Sequence, residues 1–199
     1  MRIVAGTYRG RALATPEDSR IRPTSDRVRE ALFNILAHGI NGFDIVGCRA
    51  LDLFAGTGAL GLEAISRGAD FCLFVEEDAG ARALIRRNIE ALGLTGQTRI
   101  YRRDATSLGP ALPRERFGLV LADPPYSKGL GESALAAAAE GGWLDTGALV
   151  VLEERAGQTI AWPPCFTPID ERSWGDTAVH IARWIGTQSI GGADSGTAQ

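Results

Sequence analysis

From Arg49 onward the chain alternates short apolar runs with amphipathic segments, and that alternation leaves few folds open. Ala50 to Phe54, Phe71 to Val75, Thr98 to Tyr101, Gly118 to Ala122 and Ala148 to Leu152 read as strands. Between them, Gly58 to Arg67, Asp78 to Leu92 and the alanine-rich Gly129 to Glu140 read as helices. The second of these places Ala81, Leu84, Ile85 and Ile89 on one face, the spacing of a helix packed on a core. Strands alternating with helices predict a mostly parallel sheet with helices on both faces. Thr167 to Ser173 and Thr177 to Trp184 flank the turn Trp174-Gly175-Asp176 and predict a terminal hairpin with an antiparallel strand.

The segment before Arg49 is different. Arg2 to Gly6 and Arg9 to Ala14 are short β-type runs around Thr7-Tyr8, a candidate hairpin. Thr15 to Arg22 is a polar connection. Pro23-Thr24-Ser25-Asp26 is a helix start. Val28, Ala31, Leu32, Ile35 and Leu36 then form one apolar helical face, with Arg27, Glu30 and Asn34 off it. The first 29 residues hold seven arginines against three acids, an excess of +4 in a chain whose net charge is −3. A basic arm on an acidic body predicts an anionic partner. Arg9, Arg11, Arg22, Arg27 and Arg29 are the candidate phosphate contacts. The competing reading pairs Arg27 and Arg29 with nearby acids such as Asp26 and Glu30.

Cys48, Cys72 and Cys165 are too scattered for a disulfide framework or a zinc site, and His38 and His180 share no ligand spacing with them; no metal is expected. No apolar run approaches the roughly 18 to 20 residues that span a bilayer, and Met1 to Gly6 lacks a signal-peptide core. The chain therefore reads as a cytoplasmic monomer. Gly186 to Gln199 is too polar to build a core and reads as a disordered tail. The expected organisation is an arm over residues 1–40, a catalytic domain over 41–185 and the tail over 186–199.

The first strand runs into Asp52-Leu53-Phe54-Ala55-Gly56-Thr57-Gly58-Ala59-Leu60-Gly61. Such a loop turns tightly and opens a helix with free N–H groups. Glu76 follows the second strand, twenty residues after Gly56, where a carboxylate can accept two hydrogen bonds from a ribose diol. Asp104-Ala105 follow the third strand, where an acid suits an adenine amino group, unless Arg102 and Arg103 simply pair with it. NAD and S-adenosylmethionine both fit a Rossmann-like sheet of this kind. Asp52, just ahead of the loop, disfavours a pyrophosphate and favours the ammonium and sulfonium of S-adenosylmethionine. The expected cofactor contacts are Asp52, Phe54, Gly56, Gly58, Glu76, Asp104 and Ala105.

The fourth strand ends in Asp123-Pro124-Pro125-Tyr126. Two prolines fix the backbone and remove two N–H donors, leaving carbonyl acceptors beside a carboxylate. A base –NH2 group has a lone pair delocalised into its ring. The Asp123 carboxylate and the Pro124 carbonyl can hold both its N–H bonds, favour a pyramidal nitrogen and aim the lone pair at a methyl donor. Tyr126 can stack on the base. If stacking is its whole role, its hydroxyl should matter little.

Asp123-Pro124-Pro125-Tyr126 resembles the motif of DNA adenine-N6 and RNA guanine-N2 amino-methyltransferases. Arg2-Ile3-Val4-Ala5-Gly6, Arg9-Gly10-Arg11, and Arg22-Pro23-Thr24-Ser25-Asp26-Arg27-Val28-Arg29-Glu30-Ala31-Leu32-Phe33-Asn34 resemble the RsmD family, as does Trp174-Gly175-Asp176-Thr177. The resemblance runs from about Arg2 to Trp184. It implies a class I S-adenosylmethionine methyltransferase with a seven-stranded sheet, and a hairpin that contacts RNA. The implied substrate is a guanine N2 amine in 16S ribosomal RNA, free or in the small subunit. A DNA adenine-N6 enzyme, a non-catalytic RNA-binding module and a small-molecule methyltransferase remain the alternatives on the residues alone.

Overall fold

The expected alternation forms a single sheet. In a computed structural model that describes residues 1–16, 25–126 and 128–186, the helix α1 (Asp26–His38) precedes a regular succession. It runs β1 (Arg49–Leu53), α2 (Ala59–Ser66), β2 (Phe71–Val75), α3 (Ala79–Leu92), β3 (Thr98–Tyr101), β4 (Phe117–Ala122), α4 (Leu130–Glu140), β5 (Leu144–Arg155), β6 (Phe166–Trp174) and β7 (Thr177–Trp184). The strand order is β3-β2-β1-β4-β5-β7-β6. Six strands run in one direction, and β7 runs antiparallel to them between β5 and β6. The sheet has seven strands, as the resemblance implies.

Alternate residues of each strand serve the two faces. Ala50, Cys72, Phe74, Leu119, Leu121, Leu149 and Val151 pack with α1, α2 and α3. Leu51, Leu53, Leu73, Val75, Val120, Val150 and Leu152 pack with α4. Cys48, Cys72 and Cys165 are free thiols, and burial pushes the Cys48 thiol up to about 12. β5 is longer than Ala148–Leu152 because antiparallel pairing continues past the apolar run, through Glu153, Glu154 and Arg155 opposite Val179, Ala178 and Thr177.

The N-terminal hairpin is much smaller than the sequence suggests. One bridge, Arg2 with Ala12, joins its arms, supported by Ile3 N–H to the Arg11 carbonyl at 2.9 Å and Gly10 N–H to the Ile3 carbonyl at 2.8 Å. Every buried donor needs an acceptor, and α2 supplies the next ones. Val4 and Ala5 donate to the Glu63 carboxylate at 2.8 and 3.0 Å. Thr7 donates to the Ser66 carbonyl at 2.8 Å, and Tyr8 to the Ser66 hydroxyl at 3.0 Å. The arm is thus bonded to α2 as well as to itself. Gly6 shows how closely, since a Cβ there would lie 1.8 Å from the Ser66 carbonyl oxygen.

The buried side of α1 also differs. It is Val28, Arg29, Leu32, Phe33 and Leu36, with Ala31 and Ile35 only half-buried. The stripe is rotated so that Arg29 lies on it. That is tolerable because the Glu63 carboxylate sits opposite, 3.5 Å away, and Arg67 closes on the same carboxylate at 2.8 Å. Ser25 caps the helix by accepting from Val28 N–H. The expected tail beyond Gly186, and the sequence from Glu17 to Thr24, lie outside the described residues.

Candidate active site

Register across the parallel strands builds the site. Tyr101, Val75, Leu53, Ala122 and Leu152 are lateral partners. The residues that follow them, Arg102, Glu76, Phe54, Asp123 and Glu153, form one row along the carboxyl edge of the sheet, where ligands bind in such folds. A cavity of about 490 Å³ opens there. Its lining includes Phe54, Val75, Glu76, Asp104, Ala105, Asp123, Pro124, Pro125 and Tyr126, so most of the residues expected from sequence meet in one place.

The glycine loop is held from two sides. Glu76 accepts from Gly56 N–H and from Asp78 N–H, both at 2.8 Å. Asn88 of α3 donates to the Thr57 carbonyl at 3.0 Å and also grips Ala14 of the arm, accepting its N–H at 2.7 Å. Gly58 has φ 77°, a left-handed conformation that favours glycine. At Gly61 a Cβ would stand 2.4 Å from the Phe74 ring, so α2 can lie this close to the sheet only with glycine there. Phe54 holds φ 58° at the cavity wall, a costly conformation of the kind that collects at functional sites.

Gly56 and Gly58 do not line the cavity themselves, and Asp52 and Arg29 are bound into the fold. Asp52 is 1 % exposed and does not line the cavity. Its carboxylate accepts from Gly61 N–H at 2.9 Å, capping the first turn of α2 from below, and burial pushes its pKa well above the ordinary carboxylate value. Its place within β1 decides this: it faces the helices under α2, whereas Phe54, of the same parity, lies past the strand end at the cavity. Arg29 is fully buried. It bonds the Arg2 carbonyl, Asp26 at 2.8 Å and Glu63, and so cannot reach a phosphate.

Arg9, Arg11 and Arg27 are not buried in this way, and Arg9 and Arg27 share a second cavity of about 350 Å³ with Arg2, Asp26 and Glu30. Arg22 lies outside the described residues. Asp104 caps a single 3-10 turn, accepting from the N–H and hydroxyl of Thr106 at 2.8 Å each. Among the described residues no ion pair joins it to Arg102 or Arg103; Arg103 instead donates to the Leu108 carbonyl.

The sequence reading missed Glu153 and Thr177. Tyr126 donates its hydroxyl to Glu153 Oε1 at 2.9 Å and lies 3.2 Å from Thr177 Oγ1. Its phenol is therefore engaged, and burial pushes its pKa further up. Glu153 was detectable: like Glu76, Asp104 and Asp123, it is an acid just past an apolar strand.

The sheet order, the glycine loop and Asp123-Pro124-Pro125-Tyr126 on the open edge define a class I S-adenosylmethionine-dependent methyltransferase. Residues 1–183 match the model of the family described as Conserved hypothetical protein 95, and the chain belongs to that family. It is 39 % identical over 164 residues to Ribosomal RNA small subunit methyltransferase D of Escherichia coli, covering 82 % of this chain and 79 % of the relative. The protein of that name from Haemophilus influenzae is 33 % identical over 183 residues, 91 % and 92 % of the two chains. The solved structure of yhhF from Escherichia coli superposes with a TM-score of 0.77 at 34 % identity, covering 94 % of this chain and 98 % of that one.

Proposed function

We propose that the protein methylates the exocyclic N2 amine of a guanine in 16S ribosomal RNA of the small subunit. The observation that carries this reading is the shared cavity. Asp123, Pro124 and Tyr126 line it together with Glu76 and Asp104, so an amine-holding set and a nucleoside-holding set meet in one space. The volume falls within the roughly 300–1,000 Å³ of small-molecule pockets.

The residues present fit S-adenosylmethionine. Glu76, Glu77, Asp78, Asp104 and Asp123 surround the cavity, with Arg103 the one cation among the described residues of its lining. Such a rim repels a pyrophosphate and attracts a cationic nucleoside. Gly56 N–H, which a phosphate would need, is already given to Glu76. Glu76 holds the ribose diol; Asp104 and the Ala105 backbone hold the adenine. When bound, S-adenosylmethionine would supply a methyl group, passed from its sulfonium sulfur to an amine nitrogen with a neutral thioether as the leaving group.

The chain's own residues prepare that nitrogen. The Asp123 carboxylate and the Pro124 carbonyl accept its two N–H bonds, which draws the lone pair out of ring conjugation. Tyr126 stacks on the base. Arg9, Arg11 and Arg27 hold neighbouring phosphates, and the target is turned out of its stack into the cavity. The ribosomal RNA methyltransferase names of the two relatives support the choice of substrate.

The test is methylation of small ribosomal subunits and of free 16S RNA with labelled cofactor, followed by nucleoside analysis. N2-methylguanosine is the expected product, and N6-methyladenosine would overturn the guanine reading. Asp123→Ala should lower turnover far more than cofactor affinity, because its work lies in the transition state.

A further inference from the structure

Tyr126 is seated by two residues from the far end of the chain. Glu153 is 3 % exposed, an unusual position for a carboxylate. It shares parity with Val151 on β5, and Thr177 shares parity with Val179 on β7, so both stand on the same face of the sheet. Arg155 is opposite Thr177, which puts Glu153 diagonal to it across the pair. Both side chains close on one phenol oxygen, at 2.9 and 3.2 Å. A phenol has one proton to give. Glu153 accepts it, so Thr177 must be the donor in its own bond to the tyrosine oxygen.

This arrangement is costly to build. A buried carboxylate needs partners, and stacking by itself would be served by phenylalanine. We infer that Glu153 and Thr177 are positioning residues for the methyl transfer: by gripping the Tyr126 hydroxyl they fix the ring plane against which the target base stacks. The inference rests on the stacking role assigned to Tyr126 above. The phenol stays protonated across the working range, because burial raises its pKa, and the seat holds one geometry. With the ring fixed, the base amine meets Asp123 and the Pro124 carbonyl in one orientation. The tether also accounts for the β6–β7 hairpin, whose Trp174-Gly175-Asp176 turn delivers Thr177 to the edge of the site.

The experiment is a mutant cycle with small subunits from cells lacking the enzyme as substrate. Glu153→Ala should lower kcat by on the order of 10- to 100-fold, the sensitivity expected when a reacting group is misplaced by about an ångström. S-adenosylmethionine affinity by calorimetry should not change. Glu153→Gln, which keeps an acceptor, should recover most of the rate, and Thr177→Val should fall between. In a Tyr126→Phe background neither Glu153→Ala nor Thr177→Val should cost anything further, since both act through the missing hydroxyl. An equal loss in both backgrounds would mean that Glu153 only stabilises the strand, and would overturn the inference. Wild-type turnover in Glu153→Ala with an inactive Tyr126→Ala would remove the tether and leave stacking intact. Wild-type turnover in Tyr126→Ala would remove both.

Discussion

The guanidinium of Arg29 lies 3.5 Å from the carboxylate of Glu63, and neither side chain has exposed surface. This pair, with Arg67 on the same carboxylate, pins the arm to α2. Removing one member of a buried ion pair costs about 3–5 kcal/mol, because the other charge is left without compensation. Arg29→Ala should therefore lower the melting temperature and loosen the arm. It should not change the salt dependence of RNA binding at a given fraction folded. A salt slope reduced as in an exposed arginine variant would return Arg29 to the RNA-binding set.

Arg9 and Arg11 present their side chains on the outer surface of the arm. Each phosphate that goes without its arginine should reduce the slope of log affinity against log salt by about 0.7 to 0.9. Replacing both with alanine should flatten that slope and raise the RNA Michaelis constant, with cofactor affinity unchanged. An unaltered slope, measured by filter binding across a salt series, would place the RNA elsewhere.

Glu76 has two roles in the geometry, and the alanine variant should lose both. The carboxylate pins Gly56 and faces the cavity. Glu76→Ala should weaken S-adenosylmethionine binding by roughly 1–3 kcal/mol, the cost of losing a hydrogen-bonded charged group. Glu76→Gln should lose less. Calorimetry that returned wild-type affinity for the alanine variant would take Glu76 out of the site.

Asp52 gives a pH prediction. Burial raises its folded pKa above the ordinary value of 3.8, so the folded state binds the proton more tightly than the unfolded state does. Its contribution to stability is fully present below about 4, the usual carboxylate range, and is lost as pH rises through the raised folded value. Asp52→Asn keeps an acceptor for Gly61 N–H and cannot ionise. Denaturant unfolding across that window should show a shallower fall in stability for Asp52→Asn. Parallel pH profiles for the two proteins would mean that Asp52 does not titrate in the fold.

Elements and strand-end chemistry are legible in the sequence because they depend on local pattern. The run Leu51-Asp52-Leu53-Phe54 announces a strand, and the acids past each strand announce an edge. The strand end separates what the linear string joins: Asp52 and Phe54 both read as cofactor contacts, although only Phe54 lies beyond the strand. Arg29 is half legible. The competing pairing with Asp26 is present at 2.8 Å, but its burial against Glu63, 34 positions away, has no local mark. The hairpin is overdrawn because β-type residues announce a wish for acceptors, not where those acceptors are. Here some are on the opposite arm and the rest on α2. Thr177 escapes a linear reading because its target, the Tyr126 hydroxyl, comes from a distant stretch of chain.

Because β7 enters between β5 and β6, the residue that completes the tyrosine seat is among the last strand residues to be synthesised. Domains assemble as the chain emerges, N-terminal parts first. A nascent chain that has made the glycine loop and Asp123-Pro124-Pro125-Tyr126 still lacks the hydroxyl that meets the Tyr126 phenol. On the proposed role of that phenol, the surface offered to a base is complete only once translation has passed Thr177.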